Sequence, residues 1–254
     1  MDPSPILATI FGFACILVGN AVEGGHLSSI LQLTAFMIVV GGSVGPVWLG
    51  STNEELKVLV KFFPRIMKPN LVDRNKLADD MVKASNIARR EGMLAVEGIL
   101  PQIEDPFLRK GLQMLVDGHS ADDMRKVLEL EADMEEHHHA AAAKLMSGVG
   151  GYAPTIGIVG AVLGLIHVMS NLSDPSAVGP GIAAAFVATL YGVGFANLFF
   201  LPIGDRLKKI STADSEVRSM VLTGLDAIAA GSNARQLEEM LSVYRHGHKK
   251  KEAA

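Results

Sequence analysis

Hydrophobic and polar positions fall in blocks along this chain rather than mixing. Four stretches, residues 5–19, 30–49, 150–170 and 179–203, contain no Asp, Glu, Lys or Arg. A membrane crossing needs about 20 mostly apolar residues, so the pattern predicts an all-α membrane protein with four transmembrane helices. All 23 Lys and Arg residues lie outside these stretches, 14 between Gly50 and Ser147 and 9 between Gly204 and Ala254. The short connectors, residues 20–29 and 171–178, carry no Lys or Arg. Positive charge stays on the cytoplasmic side. Both polar segments are therefore expected inside, both connectors outside, and both termini in the cytoplasm. This divides the chain into residues 1–49 (two spans), 50–147 (a helical cytoplasmic block), 148–203 (two more spans) and 204–254 (a cytoplasmic helix and basic tail).

The cytoplasmic block reads as helical. Over residues 75–100, Leu77, Met81, Ala84 and Ala88 recur at helical spacing. Pro64, Pro69, Pro101 and Pro106 are expected at helix ends or in loops. Asp117, Gly118 and His119 form a predicted turn. Ser120 and Asp123 then resemble a capping box opening the next helix. That helix meets no breaker before Gly148, so it is expected to continue into the third span. The Lys249–Lys251 tail is expected to be disordered, and no internal repeat is visible.

Composition narrows the classes. Mean hydropathy is +0.30, net charge is −4 and the isoelectric point is near 6.1. No basic footprint asks for nucleic acid. The single cysteine, Cys15, lies in an apolar run and cannot form an intrachain disulfide. The chain begins Met-Asp-Pro, without the positively charged start of a cleaved signal peptide, so no cleavage is expected. No nucleophile elbow, His-Glu-x-x-His or phosphate loop is present, so no enzyme activity and no cofactor are expected. His137, His138 and His139 are consecutive; on a helix they point ~100° apart and cannot converge on one metal ion. No metal site is expected.

The third and fourth stretches are rich in small residues. Gly157 and Ala161, and Gly160 and Gly164, stand four apart; Gly181, Ala185, Thr189, Gly192 and Ala196 form a second stripe. Small stripes let helix backbones approach closely in lipid. That approach serves either packing within one chain or an interface and pore between chains. An ion path normally needs an ionisable group near its middle. Here only His167 is available, near the outer end of the third span, while Thr155 and Thr189 are the polar groups deep in the Gly-rich spans. A hydroxyl cannot take up a proton near neutral pH. Either this chain moves no ions, or a partner supplies a carboxylate. Pro154 and Pro202 lie near the cytoplasmic ends of spans three and four, where a proline permits a kink.

Three groups of residues carry a resemblance to a known family. One is the order of spans. The second is Arg89-Arg90-Glu91-Gly92 with Glu97, followed by Met114 to Gly118. The third is Pro154-Thr155-Ile-Gly157 with Ala188-Thr189-Leu-Tyr-Gly192 and Leu201-Pro202. In this order they resemble the MotA/PomA family of flagellar motor stator subunits, related more distantly to ExbB and TolQ. The resemblance implies a homopentameric ring around a MotB dimer in the bacterial inner membrane, converting ion flow into torque on the rotor protein FliG. The MotB aspartate would bind the ion, with Thr155 and Thr189 facing it. Pro154 and Pro202 would couple ion passage to helix movement. Arg89 and Glu97, with Arg90 and Glu91 beside them, would engage the rotor. On one continuous helix Arg89 and Glu97 would stand ~80° and ~12 Å apart, too far for an intrahelical pair but suited to meeting a charged partner. Sodium-driven relatives tend to place extra hydroxyls where this chain has Ala161 and Ala188, so the resemblance favours protons over sodium. A desolvated sodium ion wants several oxygens. The alternative reading is an ExbB/TolQ-type energiser of outer-membrane transport, which usually has three spans.

Overall fold

The computed structural model describes residues 2–69, 72–170, 173 and 175–245. The Lys249–Lys251 tail lies outside the described residues. Among those described, every regular element is helical. The chain forms two compact units, Met1–Pro69 with His138–Lys209, and Asn70–His137 with Ile210–Ala254.

The first unit holds the four apolar stretches. Ser4–Val22, Ala121–Ser170 and Val178–Ala229 are each long and apolar enough to cross a membrane, and Leu33–Leu49 is a shorter apolar helix. Pro5 sits in the first turn of Ser4–Val22, where its missing amide costs no bond. The second apolar stretch departs from the single helix expected from residue 30. A short helix, Leu27–Ile30, ends at two extended residues, Leu31 and Gln32, before Leu33–Leu49 begins. The break persists because a side chain from far along the chain takes over its backbone hydrogen bonds. The Tyr191 hydroxyl donates to the Ile30 carbonyl at 2.7 Å and accepts from the Gln32 amide at 3.2 Å.

Two π turns, Met37–Gly41 and Ala196–Phe200, precede Pro46 and Pro202. A proline removes one amide from the helical ladder, and local widening of the turn lets neighbouring groups re-pair. The fourth apolar stretch ends at Ile203, and its helix runs on unbroken into the helix expected beyond it. The helix continues as Leu201–Ala229, stopping before Gly231, whose φ is +71°. The third shows the expected continuity, with Ala121–Ser170 unbroken through Pro154. Ser120 caps its start, accepting from the Asp123 amide at 3.1 Å. The Asp123 carboxylate answers through the Ser120 hydroxyl at 2.7 Å. Asn53–Phe62 opens with a full capping box between Thr52 and Glu55.

The second unit is a helical bundle around large side chains. Met81, Leu108, Leu112, Met124, Leu128, Met220, Leu225, Leu237 and Leu241 are fully buried there. Asp73 caps Arg74–Glu91 and Asp105 caps Pro106–Val116. Leu77, Met81 and Ala84 face the core as their spacing predicts. The helix expected over residues 75–100 stops at Glu91. Gly92 adopts φ +90°, outside the helical range, and a 3-10 segment, Met93–Gln102, follows. The predicted turn at Asp117 and Gly118 is present, with Gly118 at φ +86°.

Candidate functional site

Within the first unit, residues 153–164 cross residues 185–192 with almost no side-chain volume between them. A Cβ added to Gly192 would lie 2.5 Å from the Ala153 carbonyl oxygen and 3.0 Å from the Gly157 Cα. One on Gly157 would lie 3.0 Å from the Ala188 carbonyl oxygen, and one on Gly164 3.0 Å from the Ala185 Cα. On Gly160 it would meet the Ala188 Cβ at 2.8 Å. Gly157, Gly160, Ala185 and Gly192 are buried, while Ala161 and Gly164 are half-buried. The small stripes thus bring two backbones of one chain together. Ala35 and Val39 of the second apolar stretch close the cluster, with Ala153, Val187, Ala188 and Ala196.

The two threonines sit at this crossing in different settings. Thr155 is exposed, and its hydroxyl donates to the Tyr152 carbonyl one turn back at 2.8 Å. Thr189 is half-buried, with its Cα 3.4 Å from where a Gly157 Cβ would stand. Pro154 is half-buried and Pro202 exposed. The crossing therefore offers hydroxyls and backbone but no acid or base, and could coordinate an ion only in concert with another chain's groups.

Near Pro202 the structure assembles a group that the sequence reading missed. Arg206 donates through Nη2 to the Asp2 carboxylate at 2.5 Å and through Nε to the Ile66 carbonyl at 3.1 Å. The Asp2 amide donates to the Met67 carbonyl at 2.9 Å. The Ser4 side chain and amide, and then Arg206, hold the Asp2 carboxyl down at about 2. Asp2 two residues before Ser4 is a visible turn signal, but partners 65 and 204 residues away leave no local trace. His139, the last of the three consecutive histidines, stacks on Phe62 with ring centroids 4.1 Å apart.

Arg89, Arg90, Glu91 and Glu97 belong to the second unit, and all four are exposed. The spacing derived for a continuous helix does not apply to them. Arg89 to Glu91 end one helix, and Glu97 lies in the 3-10 segment beyond Gly92.

Two family models match the chain: the MotA/TolQ/ExbB proton channel family over residues 100–220, and the motility protein A N-terminal model over residues 6–92. Motility protein A of Bacillus subtilis is 31% identical over 245 residues, covering 96% of this chain and 91% of its own. Motility protein A of Helicobacter pylori is 34% identical, covering 96% and 95%. Chemotaxis protein PomA of Vibrio alginolyticus is 32% identical, covering 96% and 94%. Among solved structures, a chain of C. jejuni MotAB superposes with a TM-score of 0.89 at 32% identity, covering 95% of this chain and 94% of that one. A chain of the Bacillus subtilis flagellar MotAB stator complex gives 0.86 at 31% identity, covering 95% of each.

Proposed function

The chain belongs to the MotA/PomA family, and we propose that it is the ring-forming stator subunit of a flagellar motor, pairing with a MotB-type partner to turn ion flow into torque. The observation that carries this reading is the likeness, along nearly the whole chain, to subunits of MotAB complexes. An ExbB/TolQ-type energiser is not favoured, because the relatives that match nearly end to end are motility proteins.

Four helices of each copy cross the inner membrane with both termini in the cytoplasm, and a homopentamer encloses a MotB dimer. The charge-free crossing sets the division of labour. The partner's aspartate carries the ion, while Thr155 and Thr189 face it and replace part of the ion's hydration. The exposed position of Thr155 supports this, since its side chain is available to a second chain. Pro154 and Pro202 let the two helices bend at the cytoplasmic mouth as the aspartate changes charge. Ala188 packs under Gly160 and Ala161 offers no oxygen, which favours protons over sodium as the driving ion. Arg89, Arg90, Glu91 and Glu97 present both signs of charge to the rotor protein FliG, where complementary charge gives fast, weak and repeatable engagement.

Deleting the gene, together with any second stator pair, should leave cells with normal filaments that do not rotate. The wild-type gene should restore swimming, and Thr189→Val at equal protein level should not. Normal swimming after deletion would overturn the reading. Speed that tracked sodium and ignored a protonophore would overturn the choice of ion.

A further inference from the structure

The fourth apolar helix has two working faces. Thr189 and Gly192, three residues apart, lie on the side that meets Gly157. Tyr191 is two residues from Thr189, a rotation of ~200°, so it points to the opposite side. There its hydroxyl bridges the Ile30 carbonyl and the Gln32 amide across the break in the second apolar stretch. One turn further, Phe195 continues the same face. Its ring packs against Tyr191, Phe36 and Phe13 with centroids 5.5, 5.8 and 6.0 Å apart. One face thus meets the third apolar helix while the other is tied to the first two.

The phenol bridge is chemically demanding. Leu31 and Gln32 are extended, so Ile30 and Gln32 cannot pair within a helix. In an apolar bundle an unpaired backbone group is costly, and here one hydroxyl satisfies a donor and an acceptor together. The Tyr191 ring packs against the buried cluster of Ala35, Val39, Val187 and Ala188, while Ile30 and Gln32, the two residues it bridges, are half-buried. The Gln32 Oε1 beside it is itself buried without a hydrogen-bond partner.

We propose that Tyr191 is a positioning residue of the stator: by fastening the broken start of the second span to the back of the fourth, it fixes the rotation and depth of the face that carries Thr189. This rests on the ion-path reading of Thr189 given above. Tyr191 contacts no ion in this scheme and acts only through the helix it anchors.

The test is Tyr191→Phe in the full stator complex, which keeps the ring packing and deletes only the hydroxyl. Torque per unit is measured from the step heights as single units join a tethered motor, and the number of engaged units is counted separately. Positioning predicts a severalfold lower torque per unit with unchanged unit number. Fewer units, each of normal torque, would mean that the hydroxyl only stabilises the fold, and would overturn the proposal. Hydrogen exchange in the complex reconstituted in lipid gives a second readout. The Gln32 amide should lose at least tenfold protection in Tyr191→Phe while amides of residues 153–164 keep theirs; unchanged exchange at Gln32 would also overturn it. Thr189→Val run in parallel separates the two ideas. If it rotates normally, the ion-path reading fails, whereas the exchange result still reports on the anchor itself.

Discussion

The core of one unit of this chain and the helix crossing of the other are packed on opposite principles. In the unit built from residues 70–137 and 210–254, the buried positions are large: Met81, Leu108, Leu112 and Leu225 are fully enclosed. Where residues 153–164 cross residues 185–192 in the other unit, the contact is made by small residues, Ala153, Gly157, Ala185, Ala188 and Gly192, while large residues such as Ile158, Leu163 and Phe186 stand exposed. Water drives the first arrangement, since burying a large aliphatic side chain is worth about 1.5–3 kcal/mol. Lipid offers no such drive between helices, so close backbone approach and complementary shape decide the second.

That contrast can be broken at its tightest point. Gly192→Val would place side-chain atoms against the Ala153 carbonyl and Gly157 Cα, backbone that cannot rotate away. The crossing should open and motility be abolished, with the complex missing from native gels of membrane extracts. Leu108→Ala in the other unit should cost about 2–5 kcal/mol through lost burial and a cavity. Faster hydrogen exchange across Pro106–Val116 would register it. The same change of residue type at Leu163, 49% exposed among the apolar helices, should cost within about 0.5 kcal/mol, read by thermal melting in detergent. A cost equal to that of Leu108→Ala would remove the contrast. The smallest effect concerns acid. Because the folded Asp2 carboxyl titrates at about 2, below its ordinary 3.8, its contribution is complete above that ordinary value and fades as pH falls toward 2. Asp2→Asn should flatten the melting-temperature slope between those pH values and leave it unchanged at neutral pH.

Much of this arrangement is legible along the chain. The four charge-free stretches locate the apolar helices, and the absence of a breaker before Gly148 predicts the unbroken run of Ala121–Ser170. Gly118 marks its turn. Thr155, Thr189, Pro154 and Pro202 stand out because polar groups and prolines are conspicuous in an apolar background. Gly92 is different: a helical pattern of Leu77, Met81, Ala84 and Ala88 continues smoothly toward it, and only its left-handed conformation reveals the stop. The run of Leu201–Ala229 past Pro202 was equally hidden, because the relief comes from a π turn rather than from a residue type.

Composition and order alone therefore determine where this chain can leave water, which sections remain in it, and that no carboxylate of its own lies in the four apolar stretches. Those properties depend on each residue's own transfer energy, which a sequence states directly. Tertiary structure alone decides that the glycine stripes meet within one chain, that Asp2 reaches Arg206, and that Tyr191 mends the break at Leu31 and Gln32. Each of these joins residues far apart along the chain, and a hydrogen bond or a backbone contact exists only once both partners have been brought to the same place.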